Sequence, residues 1–192
     1  MSDPIHTEEA HGCTIKVFPD EATETPRDWD NLGTMICFHR RYNLGDKHEM
    51  SVEEAQALSR RKDVIALPLY LYDHSGLAMS TSNAGYPFNC PWDAGCVGFI
   101  YVTREKIRKE YDCKRVTKAI LEKVIKCLQG EVTCYHQYLS GSVYGYVVED
   151  AEGNQVDSCW GYYGDYDDEY MMYEARQAAK AFAESAAVAP SM

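Results

Sequence analysis

The sequence predicts an α+β fold, a mainly antiparallel sheet with helices packed on one face, and three observations carry that prediction. Apolar stretches that read as strands recur between turn signals. Two strand-to-helix transitions occupy the middle of the chain, and a run of alternating segments after residue 130 reads as an antiparallel meander followed by a helix. With 192 residues, 45% hydrophobic, the chain can bury one sizeable core, so one domain is expected. Its expected organisation is an acidic N-terminal arm over 1–28, an α+β core over 29–165, and a C-terminal helix with a frayed tail over 166–192.

Each element has a local reason. Ile15 to Phe18 alternates like an edge strand within the loosely held arm. Residues 32–38 read as a buried strand, and Ser51 with Glu54 forms a capping-box pattern that starts a helix over 52–61. Residues 64–72 form the next strand, in which Pro68 is tolerable at an edge or bulge. Gly, Ser, Thr, Asn and Pro dominate 73–95, a long loop that marks a first candidate site. A strand over 98–102 leads to Thr103, a helix N-cap, and a helix over 104–111. Ile120, Leu121, Val124, Ile125 and Leu128 predict a second helix, which Gly130 is expected to stop. Val132, Cys134, His136 and Tyr138 then alternate as a strand, with 143–148 and 156–162 completing the meander. Residues 170–182 are expected to be helical, and 186–192 to fray.

Several function classes fall away on the sequence. No apolar run approaches the ~18–20 residues that cross a bilayer. The first residues lack the basic and apolar regions of a secretion signal, so the expected compartment is the reducing cytoplasm. Phosphate-binding glycine motifs are absent. None of the eight cysteines stands in a C-x-x-C pair, so buried free thiols are expected, with no metal and no cofactor. The acidic clusters fall in expected loops and helix starts, a placement that suits solvated charge better than catalysis.

Charge is the informative property. The net charge is −11, and residues 149–174 hold nine acids with no Lys or Arg. Tyrosine is abundant at 15 residues, and many lie among those acids. Rings with a hydroxyl suit protein interfaces, and carboxylates around them attract Lys and Arg. The expected partner-binding residues are therefore Glu149, Asp150, Glu152, Asp165, Tyr166, Asp167, Asp168, Glu169, Tyr170, Tyr173 and Glu174. A solvated acidic face beside a Tyr-rich sheet edge explains the same residues. A second, basic stretch offers nucleic-acid contact through Arg104, Lys106, Arg108, Lys109, Lys114 and Arg115. An enzymatic alternative uses the 73–96 loop, with Cys90 as thiol nucleophile beside His74 and Asp93; Cys159, His39 and His136 are further candidates for that chemistry.

Three blocks carry a resemblance: 89–102 (Asn89-Cys90-Pro91-Trp92-Asp93-Ala94-Gly95-Cys96 onward), 141–146 (Gly141-Ser142-Val143-Tyr144-Gly145-Tyr146) and 157–164 (Asp157-Ser158-Cys159-Trp160-Gly161-Tyr162-Tyr163-Gly164). With 29–35 and 38–45, they resemble a family of small proteins of phages and mobile elements. The resemblance supplies no catalytic residues. It implies an accessory protein that counters host defence, such as a CRISPR effector or restriction complex, within a bacterial cell. The expectation is a non-enzymatic inhibitor whose carboxylates stand where a phosphate backbone would, with DNA as a secondary contact. A binding module without a defence role is the third reading.

Overall fold

The computed structural model describes residues 3–74, 76–81, 94–167 and 169–188. In chain order the elements are β1 (His6–Ala10), β2 (Cys13–Pro19), β3 (Thr34–Cys37), α1 (Val52–Ser59), β4 (Val64–Asp73), β5 (Leu77–Ser80), β6 (Ala94–Thr103), α2 (Arg104–Glu110), α3 (Lys118–Ser140), β7 (Val143–Glu149), β8 (Gln155–Tyr163) and α4 (Glu169–Val188). They form an α+β fold with two antiparallel four-stranded sheets. Two compact units result: residues 1–23 with 141–192, and residues 24–140. This departs from the expected single core over 29–165 flanked by an arm and a tail.

In the first unit the sheet order is β1-β2-β7-β8. The expected arm is thus two strands, joined by His11 and Gly12, both with positive φ (54° and 78°), as a tight two-residue hairpin turn requires. Instead of lying at an edge, β2 sits between β1 and β7. Its alternation sends Cys13, Ile15 and Val17 to one face, where they meet Tyr146 and Val148 of β7 and Met171, Met172, Ala175 and Ala179 of α4. Those four α4 positions share one helical stripe, so the same phase turns Tyr170 and Tyr173 outward.

In the second unit the order is β3-β6-β4-β5. Met35, Leu69 and Ile100 pack against Val124, Leu128 and Val132 of α3. On the alternate positions, Ile36 and Phe99 cluster with Ala55 of α1. The capping box is present: Glu54 N–H donates to Ser51 Oγ (3.2 Å) and Ser51 N–H to Glu54 Oε2 (2.8 Å). Thr103 caps α2 through the Lys106 N–H (3.1 Å). Pro68 is accommodated because β5 pairs with β4 only from Tyr70 onward, and a register shift follows Leu69.

The helix expected to stop at Gly130 continues to Ser140 as part of α3, and residues 132–138 are not a strand. The inward residues Val124, Leu128, Val132 and Tyr135 recur at helical spacing, and their burial outweighs the propensity cost of Gly130. The meander's third strand is supplied by β2, on the far side of β7.

A buried ion network ties the second unit's N-terminal segment to this helix. The Arg27 side chain is 4% exposed, and its guanidinium donates to Asp46 (2.7 and 3.0 Å), Glu131 (3.0 Å) and the Gly33 carbonyl (2.9 Å). The same carboxylates accept the N–H groups of Leu32 and Gly33 (Glu131) and of Met35 (Asp46). Every charge in it is paired, which is the condition under which buried ions are tolerated.

Candidate functional site

The β8–α4 junction gathers the strongest exposed chemistry of the first unit. After β8, Gly164 N–H donates to the Ser142 carbonyl (3.1 Å), and Asp165, Tyr166 and Asp167 cross to the start of α4. Glu169 lies in the first helical turn, where the helix dipole favours a negative charge. Tyr166, Tyr170 and Tyr173 are 42%, 63% and 57% exposed, an unusual degree for large rings close together in sequence. Asp165, Asp167 and Glu169 are exposed and form no ion pair among the described residues. Asp168 lies outside the described residues.

Aromatic contacts hold this surface to the sheet. Tyr166 meets Tyr144 edge-on at 6.0 Å and lies 6.4 Å from the His6 ring. Tyr162 sits 5.9 Å from Tyr146 and 6.4 Å from Tyr170. Its hydroxyl donates to Glu174. Hydrogen bonds from Tyr162 and Tyr170 hold the Glu174 carboxyl below the usual range, while burial, with bonds to Cys159 and Glu174, raises Tyr162. Tyr146 donates to Asp157 (3.3 Å), and burial with the Asp157 charge pushes its hydroxyl up to about 12. Glu174 is thereby tied to the sheet, while Asp165, Asp167 and Glu169 stay exposed, Glu169 facing the Arg176 charge.

A second aromatic feature lies on the face of the sheet away from α4. Trp160 and Gly161 together oppose the single residue Gly145, a bulge in which Gly161 takes φ +83°. The Trp160 ring lies over Gly145, where an added Cβ would come within 2.4 Å of it, and Phe18 flanks it at 6.3 Å. The expected acidic set did not include this tryptophan; a glycine beside each strand's large ring was the available signal.

Glu149, Asp150 and Glu152 belong elsewhere. They lie at the β7–β8 turn, and β8 then runs nine residues before the junction, a separation of about 25 Å at strand rise. Glu149 pairs with Lys16 (2.6 Å), and Asp150 accepts the Asn154 side-chain amide and the backbone N–H groups of Asn154 and Glu152, which keeps its carboxyl below the usual range. The expected continuous face from Glu149 to Glu174 is thus two separate acidic groups. At the junction itself, Arg176 forms a two-pronged bridge to Glu8 (2.7 Å each), adding β1 to the surface.

The basic stretch belongs to the second unit. Arg104 and Lys106 are engaged by the carbonyls of Lys62 (3.2 Å) and Asn31 (2.7 Å). Arg108, Lys109, Lys114 and Arg115 are exposed on α2 and the turn that follows. Of the enzymatic alternative, Cys90 and Asp93 lie outside the described residues, and His74 has its ring 6.1 Å from Tyr72. His39 stacks on Tyr42 at 5.1 Å. Of the thiols expected to be buried, Cys13 and Cys37 are buried, whereas Cys96, Cys127 and Cys159 are exposed. Burial raises Cys13 and Cys134 and pushes Cys37 up to about 12, and partial desolvation with the adjacent Glu131 carboxylate raises Cys127, the opposite of nucleophile activation. Among the described residues no three His, Cys, Asp or Glu side chains gather as metal ligands, and no helix is long and apolar enough to cross a membrane.

At this junction the exposed carboxylates of Asp165, Asp167 and Glu169 stand beside rings that offer apolar area and hydroxyls, with the Arg176 charge close to Glu169. No family model, curated protein or solved structure matches the chain.

Proposed function

We propose that the chain is a non-enzymatic inhibitor of phage or mobile-element origin. It binds a nucleic-acid-handling host defence protein, such as a CRISPR effector or restriction complex, and blocks its access to nucleic acid. The observation that carries the reading is the exposure of Tyr166, Tyr170 and Tyr173 beside Asp165, Asp167 and Glu169. In this reading the carboxylates occupy the positions of backbone phosphates against Lys and Arg of the target. The tyrosine rings bury apolar area and stack on guanidinium groups. Glu149, Asp150 and Glu152, at the far end of β8, are peripheral to the contact.

The test is affinity capture from host lysate with the natural chain and with a variant carrying Asp165→Asn, Asp167→Asn, Asp168→Asn and Glu169→Gln. The natural chain is expected to retain a nucleic-acid-handling protein in low salt and release it as salt rises. Equal capture by the variant at low and high salt refutes the role of the carboxylates. In a variant of the same reading, Arg108, Lys109, Lys114 and Arg115 hold DNA while the acidic surface grips the effector. A gel shift of DNA by the isolated chain separates the two.

A further inference from the structure

A recess in the second unit combines shape with unused hydrogen-bonding capacity. Between α3 and β5, an edge strand, lies a cavity of about 350 Å3. This falls within the ~300–1,000 Å3 of small-molecule sites. Gln129, Thr133 and His136 line it from α3, at positions i, i+4 and i+7 of one helical face, and Ser80 and Thr81 line it from the end of β5. Val132 gives it an apolar wall.

The polar groups are set in defined roles. The backbone N–H of Met79 lies 3.4 Å from His136 Nδ1 and donates to it, which leaves Nε2 to carry the ring proton and act as donor. Burial lowers the pKa of His136 and keeps the ring neutral. The Thr133 hydroxyl donates to the Gln129 carbonyl (3.0 Å), so its lone pairs are left to accept. Thr81 Oγ1 is buried and has no hydrogen-bond partner among the described residues, an exception to the rule that buried polar groups are satisfied.

We propose that this recess binds a small uncharged ring bearing adjacent hydroxyls, the chemistry shared by a free sugar and the ribose of a nucleoside. Among the described residues no Lys, Arg, Asp or Glu lines the cavity, so a charged ligand would lose hydration with no countercharge from them to replace it. An entirely apolar ligand would leave the Thr81 hydroxyl and the remaining capacity of Thr133 and His136 unmet. Ser, Thr and Gln side chains each donate and accept, as does a diol, and Val132 meets the ring's carbon face.

The experiment follows the Met79 amide and His136 ring signals by nuclear magnetic resonance in the full chain, titrated with D-ribose, adenosine or 2′,3′-dideoxyadenosine. Saturable shifts of both signals are expected with a probe that carries the diol, and none with dideoxyadenosine. Binding by ribose as tight as by adenosine assigns a free sugar, and preference for adenosine assigns a nucleoside. Thr81→Val and Thr133→Val are each expected to weaken binding about tenfold. Thr81→Val is expected to leave thermal stability unchanged or raised, because the hydroxyl it removes is unbonded in the free protein. Absence of shifts with all three probes, equal binding of dideoxyadenosine, or full affinity in both threonine variants overturns the proposal.

Discussion

Replacing Arg27 by Met tests how the second unit holds its N-terminal segment. The substitution keeps the apolar stem and removes a guanidinium whose side chain is 4% exposed, stranding the Asp46 and Glu131 carboxylates at 23% and 10% exposure. Stranding a buried charge in this way costs about 3–5 kcal/mol. The triple variant Arg27→Met, Asp46→Asn, Glu131→Gln removes all three charges, while the amide oxygens still accept the N–H groups of Leu32, Gly33 and Met35. It is expected to recover at least half of the loss. The assay is urea unfolding followed by circular dichroism, with stabilities extrapolated to water. An Arg27→Met variant within about 0.5 kcal/mol of the natural chain refutes the claim that the network is a stabilising clamp. A triple variant less stable than the single one refutes the claim that stranded charge is the source of the cost.

Two further outcomes follow from the same structure. Gly130 is helical and an added Cβ would meet nothing within 4 Å beyond its own stretch of helix, so Gly130→Ala is expected to stabilise the second unit by about 0.5–1 kcal/mol in the same unfolding assay; a loss of stability would contradict the continuous α3. Burial raises the Cys37 thiol from 9.0 to about 12, so its contribution to stability is fully present below pH 9 and is lost as pH rises toward 12. Between pH 7 and pH 10 that group alone removes about 1.4 kcal/mol. Cys37→Ala is expected to flatten the alkaline decline, and an unaltered slope would contradict the assignment.

Local chemistry was legible where partners are close in sequence. The Ser51–Glu54 capping box, the Thr103 cap and the β7–β8 hairpin each need only a few consecutive residues. Pairing across long separations was not legible. The alternation of Ile15 and Val17 marks a strand, but nothing near it reveals a partner some 130 residues later, and so β2 read as an edge. Residues 132–138 carry both periods: the alternation of Val132, Cys134, His136 and Tyr138 hides the spacing of Val132 with Val124, Leu128 and Tyr135 that packs α3 on its sheet. Arg27 counted as one cation among many acids, because its two carboxylate partners arrive 19 and 104 residues later. The acidic run from Glu149 to Glu174 is continuous in sequence, yet an intervening extended strand divides it in space. The tyrosines stood out in the sequence by their number beside the later acids, whereas the α4 stripe of Met171, Met172, Ala175 and Ala179, which turns Tyr170 and Tyr173 outward, emerges only from the packing.

Competition for a captured target tests the central claim most directly. With a nucleic-acid-handling protein retained by the chain, nucleic acid that binds this target is added in increasing amounts, and release of the chain is measured at low and high salt. Displacement of the natural chain, together with weak retention of the Asp165→Asn, Asp167→Asn, Asp168→Asn, Glu169→Gln variant at low salt, is the result expected of a surface that stands in for phosphates. A chain that stays bound while the target fills with nucleic acid contradicts it.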